Sequence, residues 1–217
     1  MKTDSSMPAS ESILCLRAEL QLLLGCAQIS ADEPAIAKMR ALAKREIKWR
    51  ALLRIANDHK VSPLLYRRLH AHGAEQVPPA ILSRLRQQCL ENSRRNFFMA
   101  GELLRILALL KAHGIEGIPY KGPALAMLAY GDLSAREFGD LDIMVHEKDH
   151  LQARDLLAVH GYQLHLTKAQ QMLKYLHHYH YEFTCAGNGA RVEIHWQFTE
   201  RFWQFRFEPL RLWQRLQ

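Results

Sequence analysis

Tyr120-Lys121-Gly122-Pro123, followed after a short interval by Gly139-Asp140-Leu141-Asp142-Ile143-Met144-Val145, is the stretch on which the reading of this chain turns. The apolar segment Ile115–Tyr120 reads as a strand that runs into a glycine turn. Gly122 opens backbone angles closed to other residues, and Pro123 pre-sets the first turn of a helix expected over Ala124–Tyr130. The start of such a helix presents free amides and a partial positive charge, a natural seat for phosphate. The second piece reads as a short strand. Alternate side chains of a strand share a face, so Asp140 and Asp142 project together, about 6.6 Å apart along it. Leu141, Ile143 and Val145 face the other way, into a core. Like charges held side by side raise a carboxyl pKa unless a cation sits between them. Oxygen ligation by carboxylates suits Mg²⁺, which binds through one or two such groups together with substrate phosphates.

A third acid comes from Arg191-Val192-Glu193-Ile194-His195-Trp196. Val192, Ile194 and Trp196 alternate with Glu193 and His195, which is strand periodicity. Tyr181–Ala186 and Ala190–Trp196 form an expected hairpin across Gly187-Asn188-Gly189, whose residues favour tight turns. If the second arm neighbours the Asp140/Asp142 strand, Glu193 completes a cluster of three carboxylates. His195 shares the Glu193 face, although a packed, hydrogen-bonded histidine is the commoner outcome at such a position.

Lys-Gly, a helix, an arginine, Gly-Asp-Leu-Asp-Ile and, downstream, Val-Glu-Ile-His-Trp together resemble the uncharacterised nucleotidyltransferase family. That family belongs to the superfamily that includes DNA polymerase β, poly(A) polymerases and aminoglycoside adenylyltransferases. The resemblance covers about Glu102 to Trp196. It implies transfer of a nucleoside monophosphate from an NTP to a hydroxyl acceptor, with two Mg²⁺ ions. Asp140, Asp142 and Glu193 would be the catalytic and metal-holding residues. Lys121, Gly122 and Arg136 would hold the nucleotide, Arg136 matching the arginine that stands ahead of the Asp-x-Asp strand. Two features depart from the wider superfamily. The turn reads Lys-Gly-Pro where Gly-Ser or Gly-Gly is usual, and eighteen positions, more than the usual spacing, lead from Gly122 to Asp140.

The rest of the chain frames this centre. It has 217 residues, 48% of them hydrophobic, enough for one large or two small domains. Residues 1–100 read as a helical region and residues 101–217 as the nucleotidyltransferase-like core, together an α+β fold with a small mixed sheet. Met1–Ser10 reads as a polar start. Glu11–Gln28 has helical apolar spacing, with Ser10 as a cap, and a second helix is expected from Asp32 or Pro34 to about Asp58. A short helix follows from Ser62 to about His72, then a long one from Pro79 to about His113, stopped by Gly114. Further helices are expected over Glu147–His160 and Lys168–His177, with a strand at Tyr162–Leu166. His178 and His180 alternate as a metal pair could, but zinc is the weaker reading, since no cysteine or acid adjoins them. Phe198–Gln217 is rich in aromatics and arginine, and compared with the family the C-terminal part reads as incomplete.

The formal charge of +7 favours polyanionic partners. The arginines form no dense block, so solvated helix faces account for them equally well. Arg84, Arg86, Arg94 and Arg95 are the candidates for a binding role. No apolar run approaches the ~20 residues that span a bilayer. Cys15, Cys26, Cys89 and Cys185 are scattered and read as reduced thiols of a cytoplasmic protein. Beside the enzyme stand two other readings: a catalytically inactive relative that kept the fold as a binding or partner protein, and direct nucleic-acid binding through the basic surface. The acceptor, the preferred base and the oligomeric state are not encoded in any motif.

Overall fold

The computed structural model describes residues 17–28, 32–165 and 179–197. The expected helix over Lys168–His177, the polar start and the aromatic segment from Phe198 lie outside these residues, as does His178. The chain divides into two compact units. One comprises Met1–Arg94 with Ser134–Glu137, the other Arg95–Leu133 with Phe138–Gln217. The division falls within one long helix.

The first unit is helical. It contains α1 (Ala18–Cys26), α2 (Glu33–Ala43), α3 (Trp49–Asp58), α4 (Ser62–His72) and the first part of α5 (Pro79–Ala112). Leu22, Met39, Leu52, Leu65, Leu69 and Leu85 are among the residues that close its core. Asp32 caps α2 by accepting from the Ala35 amide at 2.9 Å, and Pro34 sits in the first turn, where a missing amide costs nothing. The single helix expected from this point to Asp58 is in fact two. The chain breaks after Ala43, Ile47 turns into the core, and Lys48 donates its amide to the Glu19 carboxylate at 2.9 Å. That amide bond holds the Glu19 carboxyl below its usual range. Hydrophobic periodicity continues through the break because both helices bury apolar residues against the same core. For that reason the pattern alone conceals the interruption.

The second unit is a five-stranded mixed sheet with helices on its apolar face. Its elements are the remainder of α5, β1 (Gly117–Pro119), α6 (Gly122–Tyr130), β2 (Leu141–Val145), α7 (His150–Val159), β3 (Tyr162–His165), β4 (His180–Cys185) and β5 (Arg191–His195). The strand order is β1-β2-β5-β4-β3. Among the described residues β2 and β5 run parallel and the other pairs are antiparallel. The β4–β5 hairpin closes as its turn residues suggest, with the Cys185 amide on the Ala190 carbonyl at 2.8 Å and Asn188 Oδ1 accepting from the Ala190 amide.

Alternation then sorts the two faces. Leu141, Ile143, Val145, Val192, Ile194 and Phe183 join Met99, Leu103, Ile106 and Leu110 of α5 and Ala153 and Leu157 of α7 in one core. Asp142, Met144, Glu193, His195, His180 and Glu182 fall in register on the opposite face. A polar contact locks the edge strand to α5. Glu102, buried, accepts from the Tyr162 hydroxyl at 2.5 Å and from Arg105 at 2.9 Å. No helix among the described residues is long and apolar enough to cross a membrane.

Candidate active site

The site begins with register. β2 and β5 lie side by side and parallel, with Asp142 opposite Glu193. Opposed residues of a strand pair point to the same face, so these two carboxylates, fifty-one positions apart in sequence, become neighbours. Asp140 precedes β2, since the strand begins at Leu141. Its carbonyl oxygen lies 3.1 Å from where a Cβ on Gly122 would stand.

Gly122 adopts φ of +53°, and a Cβ there would press on the Asp140 carbonyl more closely than side chains ordinarily do. Both facts explain why the turn needs glycine. The turn aims Lys121 at the acids. Its Nζ donates to Asp142 Oδ1 at 2.7 Å and lies 5.0 Å from the centre of the Tyr120 ring. The Lys121 side chain is 48% exposed, whereas Asp142 retains only 3% of its surface. The sequence points Lys121 toward phosphate; in the structure it answers the buried carboxylate.

His195 is the residue whose place in this cluster the sequence leaves open. Its Nε2 lies 3.1 Å from Glu193 Oε2 and 3.3 Å from Asp142 Oδ1. One ligand atom each of Asp142, Glu193 and His195 falls within 4.8 Å of the others, a group able to hold a metal ion. The ring is walled by aromatics, edge-on to Tyr120 at 5.3 Å and stacked on His180 at 5.0 Å. His180 in turn reaches Glu182 Oε1 at 3.2 Å, and Glu182 stands opposite Glu193 on β4. The acid beside His180 is thus two residues along its own strand. Strand periodicity, applied through His180, could have found it.

The electrostatics follow from this packing. Burial pushes the Asp142 carboxyl up, but donation from His195 and Lys121 outweighs it and holds the group below its usual range. Glu193 is held down by His195 against burial and the neighbouring Asp142 charge. Burial would lower His195, yet its two carboxylate partners carry it above the ordinary histidine value. The Tyr120 phenol is pushed far up by burial, then by Asp142 and Glu193, with Asp140 also contributing. Tyr120 therefore remains a neutral hydroxyl beside an anionic pair. Cys26 and Cys89, both in the helical unit, are pushed up to about 12, chiefly by burial, so neither is a thiolate nucleophile at neutral pH.

Arg136 sits in the segment Ser134–Glu137 that groups with the helical unit, where its backbone carbonyl accepts from Asn92 Nδ2 at 3.2 Å. The pairing is one that no local sequence pattern announces, because it joins a loop to a helix 44 positions away.

No curated protein and no solved structure gives a significant match to the chain. Residues 45–217, by contrast, match the family described as "Uncharacterised nucleotidyltransferase". With that match covering most of the chain, this protein belongs to the uncharacterised nucleotidyltransferase family.

Proposed function

We propose that the protein transfers a nucleoside monophosphate from an NTP to a hydroxyl acceptor at the Asp142–Glu193 pair, with Asp140 as the third acid and Mg²⁺ as the metal. The observation that carries this reading is the register of β2 on β5, which sets two carboxylates from distant segments side by side on one face. Family membership supports the general nucleotidyltransferase role. The donor set fits a hard cation. Both groups are carboxylates held in the ionised form, and metal-binding carboxylates act in that form. Bound there, Mg²⁺ would neutralise phosphate charge and favour departure of pyrophosphate.

The chain's own residues supply binding and orientation. The start of α6 at Gly122 offers amides to a phosphate, and Lys121, half-exposed, can leave Asp142 for the β- or γ-phosphate when a cation takes its place. Glu193, less buried than Asp142, is the group suited to receive the acceptor's proton or to share in holding the metal. Nearly all the rate would come from positioning and charge neutralisation. The uncombined thiols of Cys26, Cys89 and Cys185 fit a cytoplasmic setting.

The test is pyrophosphate release and acceptor labelling with each NTP in the presence of Mg²⁺. Transfer that survives intact in Asp142→Asn refutes the assignment. One observation favours the inactive-relative reading: Asp142 is already almost wholly buried and ion-paired with Lys121. Calorimetry separates the two, because the enzyme requires Mg²⁺-dependent NTP binding and the inactive relative shows none.

A further inference from the structure

His195 is buried, unusually placed and unused by the scheme above. Its Nε2 faces two carboxylate oxygens at once, Asp142 Oδ1 at 3.3 Å and Glu193 Oε2 at 3.1 Å. Ionised carboxylates only accept, so this nitrogen must carry a hydrogen; a bare nitrogen here would set lone pair against lone pair. The other ring nitrogen decides what the residue can do. Nδ1 is buried and has no hydrogen-bond partner among the described residues. Ligation of an ion through Nε2 would move the proton to Nδ1 and bury an N–H without an acceptor. Histidines that bind metals nearly always donate that second N–H to a carbonyl, carboxylate or water. Here the ring neighbours are the aromatic faces and edges of Tyr120, His180 and Tyr179. The ring is also held in place, with 3% of its side chain exposed between Tyr120 and His180.

We propose that His195 is a positioning residue for the acid pair and not a metal ligand: its single Nε2–H clamps Asp142 Oδ1 and Glu193 Oε2, turning the remaining oxygens, Asp142 Oδ2 and Glu193 Oε1, toward the cation. Lys121 and His195 make their shortest approaches to the pair at Asp142 Oδ1 and Glu193 Oε2. The inference rests on the reading that this pair holds a divalent ion. It adds that the ion is ligated by oxygen alone on the protein side, although an imidazole lies within the same 4.8 Å cluster. Oxygen-only ligation keeps the site selective for hard cations, whereas an imidazole ligand would turn it toward transition metals.

Two measurements test this. The first is Mn²⁺ binding, followed by electron paramagnetic resonance, in the wild type, His195→Gln and His195→Leu. The glutamine amide can place an N–H where Nε2 stands, and leucine cannot. His195→Gln is expected to bind within about threefold of the wild type, while His195→Leu loses about 10- to 100-fold, the usual penalty for removing such an outer partner. Equal losses in both variants, each shown to be folded by its thermal transition, overturn the proposal, since the clamp requires only an N–H at this position and the amide supplies one. The second is the ¹⁵N signature of the His195 ring, read with and without Mg²⁺. A protonated Nε2 in both states is expected, and a bare Nε2 in either state overturns the clamp. Should Asp142→Asn bind Mn²⁺ as tightly as the wild type, the metal reading of the acid pair fails. The ring signature of the metal-free protein then still judges the hydrogen-bonding role of His195 by itself.

Discussion

Asp142→Asn should separate function from stability, and the size of each effect follows from the site. In the metal-free protein Asp142 accepts from Lys121 at 2.7 Å and approaches His195 at 3.3 Å. Hydrogen bonds to a charged group contribute about 1.5–3 kcal/mol. The Lys121 bond falls well below that range, because its side chain is half in water and an exposed pair contributes roughly 0–1 kcal/mol. Against these stands the cost of keeping a carboxylate almost wholly buried beside Glu193, which is several kcal/mol per ion in real proteins. Donation to the carboxylate outweighs that cost, so the amide gives up the surplus while it relieves the repulsion from Glu193, and it leaves no stranded charge because Lys121 can turn to solvent. Urea unfolding in EDTA should therefore place the variant below the wild type by about 1 kcal/mol. Metal should widen the gap. An ion at a hundred times its dissociation constant adds about 2.7 kcal/mol to the wild type and nothing to a variant that cannot bind it. A loss of more than about 3 kcal/mol in EDTA would show Asp142 to be a structural ion-pair partner, as expected when a buried pair is broken. Metal-induced stabilisation that persists in Asp142→Asn would refute the reasoning from the other side.

Other perturbations probe the frame around the site. Gly122→Ala places a Cβ 3.1 Å from the Asp140 carbonyl at a φ of +53°, and should cost about 1–2 kcal/mol from backbone strain alone, measured by urea unfolding. Glu102→Gln removes the charge held by Arg105 and Tyr162, and should cost about 1.5–3 kcal/mol at neutral pH by the same measurement. The pH profile of the wild type gives the sign independently. Bonding to Arg105 holds the Glu102 carboxyl below its usual range, so its contribution is present above the unfolded value of about 4.3 and is lost as pH falls through the folded one. Glu102→Gln should flatten the stability curve below about pH 5, and a wild-type slope retained by the variant would contradict that origin.

Much of this protein could be read along the chain, for physical reasons that are local. Period-two alternation assigned Leu141, Ile143 and Val145 to a core and set Asp142 on the opposite face, because a strand leaves side chains no other choice. Gly122 and Pro123 marked a turn entering a helix, since their backbone limits are intrinsic to the residues. Gly187-Asn188-Gly189 likewise fixed the hairpin that carries Glu193. The rest depended on contacts between distant segments. The break between α2 and α3 depends on Glu19, nearly thirty residues away, meeting the Lys48 amide. Whether Asp142 faces Glu193 depends on β5 choosing β2 as its parallel neighbour, which is a matter of crossover and core packing that no short motif records. His195 becomes a clamp between two acids because burial fixes its ring among Tyr120 and His180, and burial is a property of the assembled sheet. Strand chemistry was written along the chain, but the distances at which charges attract or repel exist only once the strands have met.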